Sequence, residues 1–196
     1  MATRSTPGHH LVYGVLADYL TGEELPDTDD ERIRQSLARM LVEEKGYAPG
    51  ELEPRLCIET LFNHTFVRSI IDLTVRIDGK RLFIIRYGPG SLVTREKAVI
   101  AAARVLDPEY RIPYGVVTNG RDAEFLETDS GKVLARGMEG IPDRKEAARL
   151  RAEAVFEPCT DPRTREKALR ILNAFDLEIC CRGERCALPE ADQAEQ

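Results

Sequence analysis

The sequence predicts one layered α/β domain, a mixed β-sheet with helices on both sides. Three observations carry this prediction. Phe66–Ile77 alternates apolar and polar side chains at strand period, and Asp78-Gly79 then turns it into a second apolar strand, Lys80–Tyr87. Ile33, Leu37, Met40 and Leu41 recur at helical spacing ahead of that hairpin. Behind it, a small-residue helix leads into a further apolar strand, Tyr114–Thr118, and a hairpin feeding a helix and then another strand calls for a mixed sheet covered on both faces.

Each element has a local reason. Leu11–Leu25 is expected to pack as a strand or a helix before the acidic turn Pro26–Asp30. Thr28-Asp-Asp-Glu31 is a capping-box pattern, with the Thr28 hydroxyl placed to accept from the Glu31 N–H, and Gly46 supplies the C-terminal stop. Tyr47–Pro54 reads as a linker punctuated by Pro49-Gly50, and Arg55–Leu61 as the first sheet strand. Within Phe66–Ile77, strand alternation puts Val67, Ser69, Ile71, Leu73, Val75 and Ile77 on one face, and Arg68, Ile70, Asp72, Thr74 and Arg76 on the other. The Leu-Phe-Ile-Ile centre of Lys80–Tyr87 calls for burial on both faces. A helix is expected from about Thr94 to Leu106, packing through Ala98, Ala101, Ala102 and Val105. Ala123–Glu127 follows as a short strand, then helices at Asp143–Phe156, capped by Asp143, and Pro162–Phe175. The organisation is an N-terminal extension (1–27), one domain (28–178) and a cysteine-containing tail expected to be flexible (179–196).

Composition narrows the function classes. With 42% hydrophobic and 32% charged residues the chain is globular, and no run of eighteen apolar residues offers a membrane span. The opening residues lack the pattern of a secretory signal, so a cytoplasmic location is expected. A net charge of −6 gives no overall electrostatic footprint for nucleic acid and leaves only a local basic patch. Cys159, Cys180, Cys181 and Cys186 cluster near the end and are a zinc candidate, although their spacing departs from paired knuckles and partly exposed thiols explain them as well. No GxxxxGK[ST] loop, GxGxxG turn or GxSxG elbow occurs.

ERIRQSLARMLVEEKGY, IIDLTV, LFIIRYG and IPYGVVTNG, in this order and spacing, resemble the N-terminal domain of type I restriction enzyme R subunits, a family of the PD-(D/E)xK nuclease superfamily. The resemblance covers roughly residues 30–135 and implies a restriction-endonuclease-like sheet, with a magnesium site for phosphodiester hydrolysis in active members. Carried over by position, the metal-binding Asp is Asp72 and the helix Glu is Glu31, whereas the strand Glu falls on Arg86 and the Lys on Gly88. The resemblance therefore implies a vestigial site of Asp72, Glu31 and Arg86, with Arg86 available to pair with Asp72. A three-residue hairpin loop with a bulge puts Asp72 and Arg86 on one face, as the resemblance requires; a two-residue loop puts them on opposite faces.

Simpler roles stand beside these. Asp72 is explained equally by a counter-charge, and Glu31 by the capping box. Glu96 and Lys97 are the groups to which lost catalytic functions would have moved, or an ordinary helix-surface pair. Arg68, Arg81 and Arg95, with Arg76, Arg86 and Arg104, are the expected nucleic-acid contacts. Three functions follow: a module that binds DNA or a protein partner without cutting, an active magnesium-dependent endonuclease with relocated residues, or a partner-binding protein with a metal-holding cysteine end. The sequence leaves the oligomeric state open.

Overall fold

The computed structural model describes residues 12–62, 65–158 and 160–180. A small antiparallel hairpin, β1 (Val15–Ala17) and β2 (Glu24–Pro26), precedes α1 (Asp29–Arg39), which runs on into a π-helical turn at Met40–Glu44. Three strands follow, β3 (Leu52–Phe62), β4 (Thr65–Ile77) and β5 (Lys80–Tyr87), and then α2 (Glu96–Val105). The chain continues through β6 (Tyr114–Thr118), β7 (Ala123–Glu127), β8 (Val133–Arg136), α3 (Arg144–Glu153) and α4 (Pro162–Cys180). β3 to β8 form one sheet in sequence order, antiparallel throughout except at β5–β6, where α2 makes the crossover that parallel neighbours need. The mixed, two-sided α/β domain expected from the sequence is the fold observed.

Two apolar cores lie on opposite faces of the sheet. On one, Leu37, Leu41 and Tyr47 meet Val75, Phe83 and Ile85, with α3 contributing Ala147. On the other, Val99, Ala101 and Ala102 of α2 and Leu172 of α4 cover Ile84 and Val117. The close approach of α2 also rests on a glycine of the sheet: a Cβ at Gly115 of β6 would come within 3.0 Å of the Val99 side chain.

The β4–β5 hairpin settles the register by a route the sequence did not distinguish. Its loop is the two residues Asp78-Gly79, both at positive φ (48° and 78°), with Ile77 paired to Lys80. An extra residue in β5, Leu82, then shifts the pairing, so that Val75 faces Phe83 and Thr74 faces Ile84. A two-residue turn plus a bulge thus reaches the alignment attributed above to a three-residue loop. The single-face assignment for β4 needs correction. Leu73, Val75 and Ile77 join the α1-side core, but Ile71 joins the α2-side core. The strand changes sides at Asp72, opposite Arg55 of β3, whose left-handed φ of 53° breaks the neighbouring ladder.

Lys45-Gly46-Tyr47 closes the domain. Gly46, at φ 78°, ends the helical segment, Lys45 Nζ donates to the Glu139 and Ile141 carbonyls, and the buried Tyr47 hydroxyl donates to the Pro142 carbonyl at 2.8 Å. The Tyr47 ring stands edge-on to Phe83. Removing that hydroxyl strands a buried carbonyl, so Tyr47→Phe is expected to lower unfolding stability by roughly 1–3 kcal/mol in urea titration. An unchanged midpoint would show that water replaces the bond without loss.

Candidate functional site

Where β4 and β5 part, a cluster of charged side chains is withdrawn from water. The β4–β5 pairing stops at Leu73–Ile85, and the Tyr87 N–H donates to Asp72 Oδ2 at 2.7 Å, so a side-chain oxygen takes over from the ladder. Asp72 Oδ1 accepts from Arg34 Nε at 2.9 Å and from Nη2 at 2.7 Å. The remaining nitrogen of that guanidinium, Nη1, donates to Glu31 Oε2. Arg34 therefore bridges the helix carboxylate and the strand carboxylate, and all three side chains are at most 14% exposed.

The cluster extends toward the N-terminal hairpin. Gln35 Nε2 donates to Glu31 Oε1 at 2.8 Å and to Asp18 Oδ2 at 2.9 Å, and its carbonyl oxygen accepts from the Tyr19 N–H. Arg55 reaches Asp18 with one nitrogen and Glu23 with another, at 3.0 Å. Its left-handed backbone at the strand irregularity is what presents the side chain at this end of the sheet. Three buried carboxylates, Asp18, Glu31 and Asp72, thus share two guanidiniums.

Electrostatics follow from this pairing. Burial by itself would lower the Arg34 pKa, but the Asp72 and Glu31 charges outweigh it and raise it. Burial would likewise raise Asp18, yet hydrogen bonds from Gln35 and Arg55 hold its carboxyl well below the usual range.

Glu31 has two roles at once. Its N–H donates to the Thr28 hydroxyl at 3.1 Å, as the capping pattern requires, while its carboxylate sits in the buried cluster. Arg86, expected to pair with Asp72, does not. It lies on the α4 side, with Nη2 donating to Asp176 Oδ1 at 2.8 Å, while Arg86 Nη1 and Asp176 Oδ2 are buried without a partner. Beside it, the Arg95 guanidinium fills the space that any side chain at position 88 would need and donates to the Pro89 carbonyl. Burial, and then the nearby Arg86 cation, lower the Arg95 pKa. Phe175 of α4 lies against both guanidiniums.

The other expected site residues are scattered. Arg68 is exposed, 3.6 Å from Glu59, whereas Arg81 is engaged by Glu53 and Asp107. Arg76 stands 3.6 Å from Glu53, and Arg104 donates to the Thr128 carbonyl. Glu96 lies against buried Glu124, and burial followed by that neighbour raises its pKa. Neither carboxylate is bonded to the Arg34 bridge. Cys159, Cys181 and Cys186 lie outside the described residues, as does the Cys180 side chain. Among the described residues no group of three His, Cys, Asp or Glu side chains is arranged to hold a metal, and no helix is long and apolar enough to cross a membrane.

Reading by residue type missed Arg34, Gln35, Asp18, Arg55 and Asp176. A signal existed for the first two: Glu31, Arg34 and Gln35 share one stripe of α1 at i, i+3 and i+4, beside the apolar one.

These features define a mixed-sheet α/β domain with a buried ion cluster at the fork between its central strands. The family model for the type I restriction enzyme R protein N terminus matches residues 29–142, from the first residue of α1 to just before α3, and the chain belongs to that family. Comparison with curated proteins and with solved structures gave no match.

Magnesium, implied by the resemblance, does not fit these groups. Every carboxylate oxygen of Asp72 and Glu31 already accepts a hydrogen bond, and the two later positions are Arg86 and Gly88. The folded Asp18 pKa is depressed, so its contribution to stability is complete above the unfolded carboxylate pKa and is lost as pH falls toward the folded value. The urea midpoint is accordingly expected to fall from pH 6 to pH 3, and Asp18→Asn to flatten that slope. An identical slope in the variant would contradict the assignment.

Proposed function

We propose that this chain is a nuclease-fold module of the restriction-enzyme type that associates with nucleic acid without cutting it. The observation that carries the reading is the Arg34 bridge: Glu31 and Asp72, the two acids in the positions of a PD-(D/E)xK site, are joined by one internal cation, and Gln35 and the Tyr87 N–H take their remaining oxygens. In an intact site of that kind magnesium polarises the phosphate and lowers the pKa of the attacking water. Here the third acidic position is Arg86, held by Asp176, and the lysine position is Gly88, crowded by Arg95. An arginine thus stands against or at each of these positions: Arg34 on the two acids, Arg86 in the third, and Arg95 beside Gly88.

Support for nucleic-acid contact is local. Arg68 and Arg76 have side chains 64% and 47% exposed on β4; their nearest carboxylates are 3.6 Å away, and Arg68 Nε also donates to Cys57 Sγ at 3.1 Å, so their carboxylate contacts are loose enough for a phosphate to compete. Arg81 is held by two acids and Arg95 by a backbone carbonyl, so neither adds to the footprint. Because β4 changes faces at Asp72, the two guanidiniums leave opposite sides of the sheet, so each face offers one such contact, and binding through a single phosphate is weak, indifferent to sequence and salt-sensitive. A cytoplasmic, reducing setting suits the free thiol of Cys57.

Incubation of the full chain with DNA and Mg²⁺ is expected to give no strand cleavage above an Asp72→Ala control; cleavage abolished by that substitution would overturn the reading. Filter binding between 50 and 200 mM salt is expected to give a shallow slope of about −1 in log K against log salt, with affinity lowered in Arg68→Ala. Binding absent at 50 mM salt would remove the nucleic-acid part of the proposal.

A further inference from the structure

The Arg34 bridge leaves a second ion pair unexplained, on the opposite face of the sheet. The Arg86 and Asp176 side chains are 13% and 7% exposed, yet they share a single bond, from Nη2 to Oδ1 at 2.8 Å. A guanidinium and a carboxylate that meet fork to fork make two parallel bonds. Here Arg86 Nη1 and Asp176 Oδ2 are instead each buried without a partner. The acid fits this cation imperfectly, whereas a phosphate, with more oxygens around its centre, serves both nitrogens of an arginine fork.

The surroundings have the same character. A second guanidinium, Arg95, lies beside the first; burial and then the Arg86 charge lower its pKa, against the opposite pull of Asp176 and Asp30. The Phe175 ring centre is 5.9 Å from the Arg86 guanidinium carbon and 5.5 Å from that of Arg95. Arg95 fills the space over Gly88, next to the exposed turn Pro89-Gly90-Ser91, so removal of Phe175 and Asp176 would open the pair to solvent there. An acid on one guanidinium and a ring against two are what one nucleotide offers: a phosphate, and a base that stacks on arginine. Both come from α4, which lies outside the residues matched by the family model. Ala168 and Leu172 seat the earlier turns of that helix in the core, and Asn173 Oδ1 accepts from Thr60 Oγ1 at 2.6 Å. The last turns can therefore part from the sheet while the helix stays docked.

We propose that Arg86 and Arg95 form a subsite for a phosphate group of single-stranded nucleic acid, and that the end of α4 covers it, Asp176 standing in for the phosphate and Phe175 for the neighbouring base. The proposal rests on the nucleic-acid reading above and adds to it a substrate class and an internal competitor. With α4 seated, neither guanidinium is free to meet a strand.

The test compares the full wild-type chain with Asp176→Asn, which removes the internal anion, Phe175→Ala, which removes the ring, and the double variant Arg86→Met with Asp176→Asn. Glu166→Gln, an equal charge change at an exposed position of α4, is the control. Binding of fluorescent octathymidylate is read by anisotropy, and melting is followed in sodium phosphate against NaCl of matched ionic strength. Asp176→Asn is expected to bind the oligonucleotide roughly tenfold tighter than wild type, and Phe175→Ala to bind it tighter as well. Glu166→Gln is expected to match wild type, and the double variant to lose the gain. Asp176→Asn is also expected to melt lower in NaCl and to regain roughly 3–5 °C at phosphate about tenfold above its Kd. Unchanged affinity in Asp176→Asn, an equal gain in Glu166→Gln, a gain kept by the double variant, or free phosphate binding Asp176→Asn as tightly as the oligonucleotide would each overturn the proposal. Where Asp176→Asn does not fold, Phe175→Ala decides, and wild-type affinity in that variant overturns it. Cleavage of DNA by the wild-type chain would instead sink the proposed function, so the two failures are distinguishable.

Discussion

Arg34 joins Glu31, on its own helix, to Asp72, at the point where β4 and β5 separate, and the placement of α1 on the sheet depends on that bridge. A buried ion cluster adds little net stability compared with apolar side chains of the same volume. Its effect is on uniqueness. A docking of α1 that buried these groups without their partners would cost several kcal/mol for each, which disfavours it against the one observed. Apolar contacts of Leu37 and Leu41 hold the helix down, while the ion cluster fixes its rotation and height.

The same constraint orders the surrounding elements. The β1–β2 hairpin is tied in because Asp18 accepts from both Gln35 and Arg55. Arg55 in turn occupies a backbone conformation that is unfavourable for a residue with a side chain, and it persists where strand pairing has already lapsed beside Asp72. On the opposite face, Arg86 and Asp176 hold the end of α4 to the end of β5. The fork between the central strands is thus closed by arginine on both sides of the sheet, in a family whose name belongs to restriction enzymes.

Much of the fold was legible in the residues. Alternation through Phe66–Ile77, the Asp78-Gly79 turn and the small face of α2 are signals in which local preference and tertiary burial agree. The site was legible only in part. Asp72 and Glu31 were found by position, and both lie in the cluster. The partner of Asp72 was misassigned to Arg86, because strand register says which residues are level and not which way a side chain leaves a strand that changes faces. Arg34 was overlooked because charged helix residues are ordinarily solvated, and nothing local marks a charged stripe that another element will cover. The Leu82 bulge was invisible for a related reason: an inserted strand residue has no composition of its own, and only the partner strand reveals it.

The central claim is that Arg34 and Asp72 act as one unit. A double-mutant cycle measures this most directly, using urea unfolding of the wild type, Arg34→Met, Asp72→Asn and the pair of substitutions together. Strong coupling is expected, with the double variant less destabilised than the two single losses combined by roughly 1–3 kcal/mol, because removing both partners strands neither charge. Additive losses would show that the two side chains are independent and would contradict the bridge as the organising interaction.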